Sequence, residues 1–264
     1  MKHLDVLEAQ SIYILREAYN RIKPTALLWS LGKDSNVLIW LAKKAFFGHV
    51  PFTAILLDTG NELEEVYAFR DEYIKKWNLS FINAECPPFE ETDPTLPPKT
   101  RAAARKTLGL KRIIEQQGYK GILLGIRRDE QAIRSKERVF SPRQKEGEWH
   151  FRDQPMEFWD QYKTEIPTDA HIRIHPLLSW TELDIWEYTK RENIPVVPLY
   201  FARDGKRYRS LGEKDITHPI ESTASTIDEV ISELKVTKQA ERAGRSMDHE
   251  QEDAFEKLRS AGYM

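Results

Sequence analysis

Thr25-Ala26-Leu27-Leu28-Trp29-Ser30-Leu31-Gly32-Lys33-Asp34-Ser35 opens as a short apolar run and closes as a polar turn. A continuous apolar run of this length, bounded by a turn, reads as a buried strand. Helical spacing follows from about Asp34 to Phe47, with Val37, Leu38, Leu41, Ala42 and Ala45 on one face. Strand, glycine turn and helix form the unit in which an α/β sheet binds ligands, at a strand C-terminus against a helix N-terminus. Gly32 lets the backbone approach an anion, and free N–H groups around Asp34 and Ser35 can donate to phosphate oxygens. Lys33 adds a cation; the Ser30 and Ser35 hydroxyls add donors. The turn is not a Walker A loop, which would need glycine at Leu27 and serine or threonine at Asp34.

The pattern continues in both directions. Upstream, Leu4, Leu7, Ile12, Ile14, Leu15 and Ala18 predict a helix over residues 4–22 that stops before Pro24. Downstream, Phe52–Leu57 is a predicted strand, Asn61–Trp77 a helix and Leu79–Ala84 another strand. A proline-rich connector leads to a helix near Lys99–Gln117 and a strand at Gly121–Ile126. Buried strands alternating with helices imply a parallel sheet covered on both faces, with right-handed crossovers. From Arg127 to Pro167 the periodicity dissolves, as in a long active-site segment. His171–Leu177 is a further strand, and Ser179-x-x-Glu182 a capping box opening a helix over Trp180–Arg191. A loop at Pro195–Asp215 and helices near Thr226–Thr237 and His249–Ala261 follow. The expected organisation is one α/β domain over residues 1–215 and a helical tail over 216–264 lying on or near the active site.

Composition narrows the function classes. A chain of 264 residues supports one sizeable core. Its net charge of −2 gives no general reason to expect nucleic acid or an anionic membrane as partner. Cys86 is the sole cysteine, which excludes an intramolecular disulfide and a cysteine-rich zinc module. The first residues read as an amphipathic helix without an apolar signal core, and no apolar run reaches about 18 residues, so a cytoplasmic protein is expected. His171 and His175 flank Arg173 on one strand face, with no third ligand for zinc nearby. Seven basic residues fall within 127–145, directly after a sheet strand, where guanidinium forks suit phosphate or sulfate.

Ser30-x-Gly32-Lys33-Asp34-Ser35 after a strand resembles the PP-loop of the ATP pyrophosphatases, which cleave ATP between its α and β phosphates. The common form of that loop has two adjacent glycines. Leu31 at the first of them resembles one branch, the small catalytic subunits of two-subunit bacterial sulfate adenylyltransferases. Further segments resemble that family in order: Leu57-Asp58-Thr59-Gly60, Gly125-Ile126-Arg127-Arg128-Asp129-Glu130 with Arg134-Ser135-Lys136-Glu137-Arg138, Pro176-Leu177-x-x-Trp180-Thr181-Glu182, Val197-Pro198-Leu199-Tyr200 and Glu241-Arg242-x-Gly244-Arg245.

The resemblance implies a Rossmann-like parallel sheet of the adenine-nucleotide α-hydrolase type, helices on both faces and a helical C-terminal extension. It implies ATP as substrate with Mg²⁺, sulfate as acceptor and a GTPase large subunit as partner. Ser30, Leu31, Gly32, Lys33, Asp34, Ser35, Asp58, Gly60 and Gly125 would border the nucleotide. Lys33, Arg127 and Arg128 would be catalytic, and Arg134, Lys136 and Arg138 would hold the oxyanion, with no protein-bound metal. The plain alternative for Asp58 is a cap on the following helix. Sulfate is ionised at neutral pH, so the reaction needs no general base. Related reductases need a cysteine near the C-terminus, and none follows Cys86. Glu213 and Ile216 stand where sulfate adenylyltransferase relatives commonly carry cysteine. The remaining alternatives are a different acceptor or a non-catalytic nucleotide-binding subunit. Trp149-His150-Phe151 and Phe158-Trp159 read either as a docking surface or as local packing.

Overall fold

A computed structural model describes residues 2–144, 148–165, 170–238 and 241. Helix α1 (His3–Arg21) turns Leu7, Ser11, Ile14, Leu15 and Ala18 to one buried face, the i, i+4, i+7 spacing of an amphipathic helix. Strand β1 (Thr25–Leu28) leads into α2 (Lys33–Ala45), and β2 (Thr53–Asp58) into α3 (Glu64–Lys76). Strand β3 (Phe81–Glu85) precedes α4 (Pro98–Gln117) and β4 (Gly121–Leu123). Then come β5 (Phe140–Arg143), β6 (His171–Ile174) and α5 (Glu182–Glu192). A short hairpin, β7 (Lys206–Arg207) with β8 (Ile220–Glu221), and α6 (Ile227–Val236) follow.

The sheet order is β3-β2-β1-β4-β6-β5, parallel except at the β5 edge. Strand β1 lies inside the sheet, in register with β2 at Ala26–Thr53 and with β4 at Thr25–Gly121. Its side chains therefore need apolar partners on both faces. Leu27 points into a large core shared with α1, α2, α3 and α5, while Ala26 and Leu28 point into a smaller one closed by Leu110 and Ile113 of α4.

Three sequence expectations change. Strand β5 lies inside the segment read as aperiodic, because its pattern Phe-Ser-Pro-Arg carries no apolar alternation. Pro142 is tolerated because β5 is an edge. Helix α5 starts behind Thr181 rather than Ser179: Thr181 Oγ1 accepts the Asp184 N–H at 3.2 Å and Asp184 Oδ2 accepts the Thr181 N–H at 2.9 Å. Strand β4 ends at Leu123, and its chain continues extended toward the cleft. The helix expected near His249–Ala261 lies outside the described residues.

Gly121 of β4 faces Thr25 of β1 and Ile22 with no room for a side chain. A Cβ there would lie 2.4 Å from Thr25 Oγ1 and 2.7 Å from Ile22 Cγ2. Gly121→Ala is expected to cost about 2 kcal/mol by overpacking. Thermal unfolding would show this as a Tm about 5 °C lower.

Strand β6 also buries His171 and His175 beside Arg143, Arg173 and Glu137. Burial, with Arg173 and Arg143 nearby, pushes His171 down to about 3; burial pushes His175 down to about 4. The Arg138 carbonyl oxygen, 2.7 Å from His175 Nδ1, and Glu137 would favour the protonated ring, but burial outweighs both. Both rings stay neutral in the folded chain, whereas in the unfolded chain they take up protons below about pH 6.5. Their contribution is complete above that pH and is lost as pH falls toward 4. Urea unfolding is expected to show a loss of roughly 3 kcal/mol between pH 7 and pH 5, smaller in His175→Gln.

Candidate active site

The loop after β1 owes its shape to a residue that sequence rules would not place there. Leu31 has φ +63°, the left-handed conformation that favours glycine. Its side chain is fully buried in the larger core, and that burial offsets the backbone cost of about 1–2 kcal/mol. The chain then enters α2 with Gly32 as N-cap. The Lys33 N–H donates to Tyr200 Oη at 2.9 Å, and the Ser35 hydroxyl donates to the Gly32 carbonyl at 2.9 Å. Trp29 Nε1 donates to Asn36 Oδ1 at 2.7 Å and locks the strand to the helix.

Gly125 brings the end of the β4 chain against this loop. A Cβ there would sit 3.1–3.2 Å from backbone atoms of Asp34 and Ser35. Two residues later, Arg127 is completely buried. Its Nε donates to Asp129 Oδ1 at 2.9 Å, and its terminal nitrogens bond to Asp34 and Glu241. Lys33 Nζ reaches Asp34 Oδ2 at 3.2 Å and also bonds to Glu241. Burial alone would lower the Arg127 pKa, but the carboxylates of Glu241, Glu130 and Asp129 outweigh it and raise the pKa above the ordinary value. Burial would raise the Glu241 carboxyl, yet Lys33 and Arg127 hold it down to about 2. The site is a cluster of ion pairs built on the buried Lys33, Arg127 and Glu241.

Lys33, Asp34 and Glu241 line one end of an open cleft. The other end is apolar, with Leu28, Ile55, Leu57, Leu124 and Ile126, and suits a flat base. Glu62, Lys106 and the segment Ser210-Leu211-Gly212 complete the wall. Among the described residues no group of three or more carboxylate, histidine or cysteine side chains could hold a metal ion.

The structure brings together Ser30, Gly32, Lys33, Asp34, Ser35, Gly125, Arg127 and Arg134 of the expected site residues. Leu31 shapes the loop from within the core. Arg134 lines the cleft paired with Glu130. Arg128 does not line it: its Nη2 donates to the Glu137 carbonyl at 3.3 Å and its Nη1 lies 3.5 Å from Ser179 Oγ, as expected when neighbours on an extended chain point opposite ways. Lys136 is exposed, and Arg138 donates to the Pro155 carbonyl at 3.0 Å, so neither reaches the cleft. A 3-10 turn over Ala132–Lys136 re-aims the chain and separates Arg134 from them.

Asp58 and Gly60 also lie outside the lining. Asp58 accepts from the Gly60 N–H at 2.8 Å, Tyr67 Oη at 2.7 Å and Asn83 Nδ2 at 3.0 Å. Burial opposes ionisation, and these bonds outweigh it and lower its pKa. Asp58 thus fixes the turn through Gly60, which has φ +74°, and it does not cap α3, whose N-cap is Leu63. Cys86 is buried, its thiol pushed up to about 11, so it is no nucleophile at neutral pH. Glu213 is buried 3.5 Å from Lys106 Nζ, and Ile216 packs on Ala102 and Ala103, so both make ordinary ion-pair and core contacts. Of the aromatic stretches, Trp149 is buried over Arg143, while Phe158 and Trp159 are exposed. Tyr200, Glu62, Lys106 and Glu241 join the site without having been singled out; Tyr200 and Glu241 sit in quoted family segments but carry no local signal of a ligand.

Residues 24–219 match the family model described as phosphoadenosine phosphosulfate reductase domain. The chain is 37% identical to sulfate adenylyltransferase subunit 2 of Marinomonas sp. (strain MWYL1), over 100% of this chain and 98% of the relative. The same-named protein of Bacteroides fragilis (strain YCH46) is 36% identical over 100% and 98%. The chain belongs to the sulfate adenylyltransferase subunit 2 family. This family's fold recurs in solved structures: Candida glabrata FMN adenylyltransferase in complex with ATP superposes with TM-score 0.59 at 17% identity, over 92% of this chain and 87% of that one. The phosphoadenylyl-sulfate reductase of Candida auris, a phosphate complex, gives TM-score 0.51 at 14% identity, over 82% and 96%. The chain carries the loop and Arg127 and has no cysteine after Cys86.

Proposed function

We propose that this chain transfers the AMP moiety of ATP to sulfate and releases pyrophosphate, as the catalytic subunit of a sulfate adenylyltransferase. One observation carries the reading: Lys33 from the loop and Arg127 from the end of β4 converge on a single anion position beside an apolar cleft. The cleft fits ATP. Its apolar end takes the base and the N-terminus of α2 takes the triphosphate, while Gly125 lets the chain after β4 pack against the loop.

In this reading Lys33, the loop amides and Arg127 neutralise charge that builds on the α-phosphate and the departing pyrophosphate. Arg134 draws sulfate to the opposite side of the phosphorus, so that two mutually repelling anions meet in line. Mg²⁺ carried on the ATP substrate would supply further charge neutralisation. No side chain has to remove a proton. We assign Arg128, Lys136 and Arg138 no contact with the substrates, and assign Asp58 and Gly60 to shaping the turn. We assign residues 1–215 to the catalytic body; from the tail over 216–264, Glu241 contributes to the cleft lining.

Adenylyl sulfate is a high-energy anhydride, so we further propose a GTPase partner chain that drives its formation, in the cytoplasm. No described helix is long and apolar enough to cross a membrane. Pyrophosphate release by the purified chain, with and without sulfate, GTP and the partner, tests the proposal. Release that depends on sulfate and increases with partner and GTP is expected. ATP cleavage indifferent to sulfate would point to another acceptor and contradict it.

A further inference from the structure

Glu241 is buried, and its two carboxylate oxygens go to two different cations: Oε1 to Lys33 and Oε2 to Arg127. In sequence it lies 208 residues from Lys33 and 114 from Arg127, so the contact belongs to the tertiary fold and to no local turn. A two-oxygen anion bridging loop and strand end is the geometry that a phosphate or sulfate edge would adopt there.

The charges make this arrangement incompatible with bound substrates. Lys33, Arg127 and Arg134 face the carboxylates of Asp34, Asp129, Glu130 and Glu241, so the cations are already outnumbered. Adding a triphosphate and sulfate to a desolvated pocket of that balance would set like charges side by side. One carboxylate has to withdraw. Asp34 belongs to the first turn of α2, and Asp129 also accepts the Glu182 N–H at 2.7 Å. Glu130 pairs with Arg134. Asp34 makes the same bridge, Oδ2 to Lys33 and Oδ1 to Arg127, but is held in that helix turn; Glu241 makes it from outside both the loop and the β4 chain, and spends both oxygens on the two cations assigned to the phosphates.

We propose that the seat between Lys33 and Arg127 is the subsite for an oxyanion edge of the nucleotide's phosphate chain, and that Glu241 is its built-in occupant, displaced when substrate binds. The inference rests on the adenylyl-transfer reading for the identity of the substrate, and on the geometry alone for the seat. Glu241 thereby stabilises the empty site against self-repulsion of its cations and competes with the incoming polyanion.

Equilibrium binding of the α,β-methylene analogue of ATP and of inorganic pyrophosphate to the full chain tests this, with wild type, Glu241→Gln and Glu241→Ala. Glu241→Gln is expected to bind both probes about ten-fold tighter, since a buried like charge is removed. Its ligand-free Tm should fall and be restored by pyrophosphate. In Glu241→Ala, added formate is expected to refill the seat and weaken pyrophosphate binding, with no such effect on wild type. Equal or weaker binding of both probes by Glu241→Gln would overturn the proposal, because a residue that merely positions Lys33 and Arg127 gives that result. Tighter pyrophosphate binding with no analogue binding by any variant would keep the seat and sink the adenylyl-transfer reading. Equal analogue binding by wild type and Glu241→Gln would sink the seat and keep that reading.

Discussion

Lys33→Met is expected to lower sulfate-dependent pyrophosphate release by about a thousand-fold while the chain still folds. Lys33 opens α2, only 1% exposed, with its ammonium at the meeting point of the loop and the β4 end. Charge grows on the α-phosphate and the leaving pyrophosphate as the bond breaks, and a fixed cation in a dry site stabilises that change far more than the ground state. Methionine fills the same volume with an unbranched chain, so packing survives. Glu241 keeps Arg127 as partner, which limits the stability loss. The defect should therefore fall on turnover, read by steady-state kinetics, with far-ultraviolet circular dichroism unchanged. A variant retaining a tenth of wild-type turnover would show that Lys33 does not meet the reacting phosphate.

Arg127→Met is expected to abolish activity and to destabilise the chain by about 3–5 kcal/mol. The side chain is fully buried and bonds to Asp34, Asp129 and Glu241. Its removal leaves three carboxylates facing one another with Lys33 as the main remaining counter-charge, and uncompensated buried charge is among the costliest defects a fold can carry. Arg127→Lys should rescue neither property. The three bonds leave from Nε and both terminal nitrogens of a planar fork, and an ammonium cannot span that arc. Urea unfolding and pyrophosphate release, measured on both variants, check this. Full stability in Arg127→Met would mean that the carboxylates find other partners.

The α/β character and the loop were legible because they depend on local rules. The apolar run 25–29 must be buried on both faces, and the glycine turn into an amphipathic helix is specific in its residue types. The β5 edge was illegible because a four-residue strand containing Pro142 has no pattern of its own and exists only through its pairing with β6. In the basic segment, residue type alone could not tell Arg127 from Arg128. Both are guanidinium groups after the same strand, and the alternation of an extended chain sends one to Asp34 and Glu241 behind the cleft wall and the other to the Glu137 carbonyl. Arg134 and Arg138 divide in the same way across the 3-10 turn. Leu31 marked a family branch in the sequence, but its left-handed backbone and buried side chain emerge only with the core assembled around it. Glu241 lay furthest from view, since its partners are more than a hundred residues away.

The most direct test of the central claim, that sulfate attacks the innermost phosphorus of ATP held by residues 30–35 and Arg127, follows the oxygen atoms. With heavy-oxygen sulfate and ordinary ATP, phosphorus NMR of the product should show an isotope shift on the adenylyl phosphorus from a labelled P–O–S bridge, alongside unlabelled pyrophosphate. An adenylyl phosphorus without label, or release of the γ-phosphate in place of pyrophosphate, would contradict it.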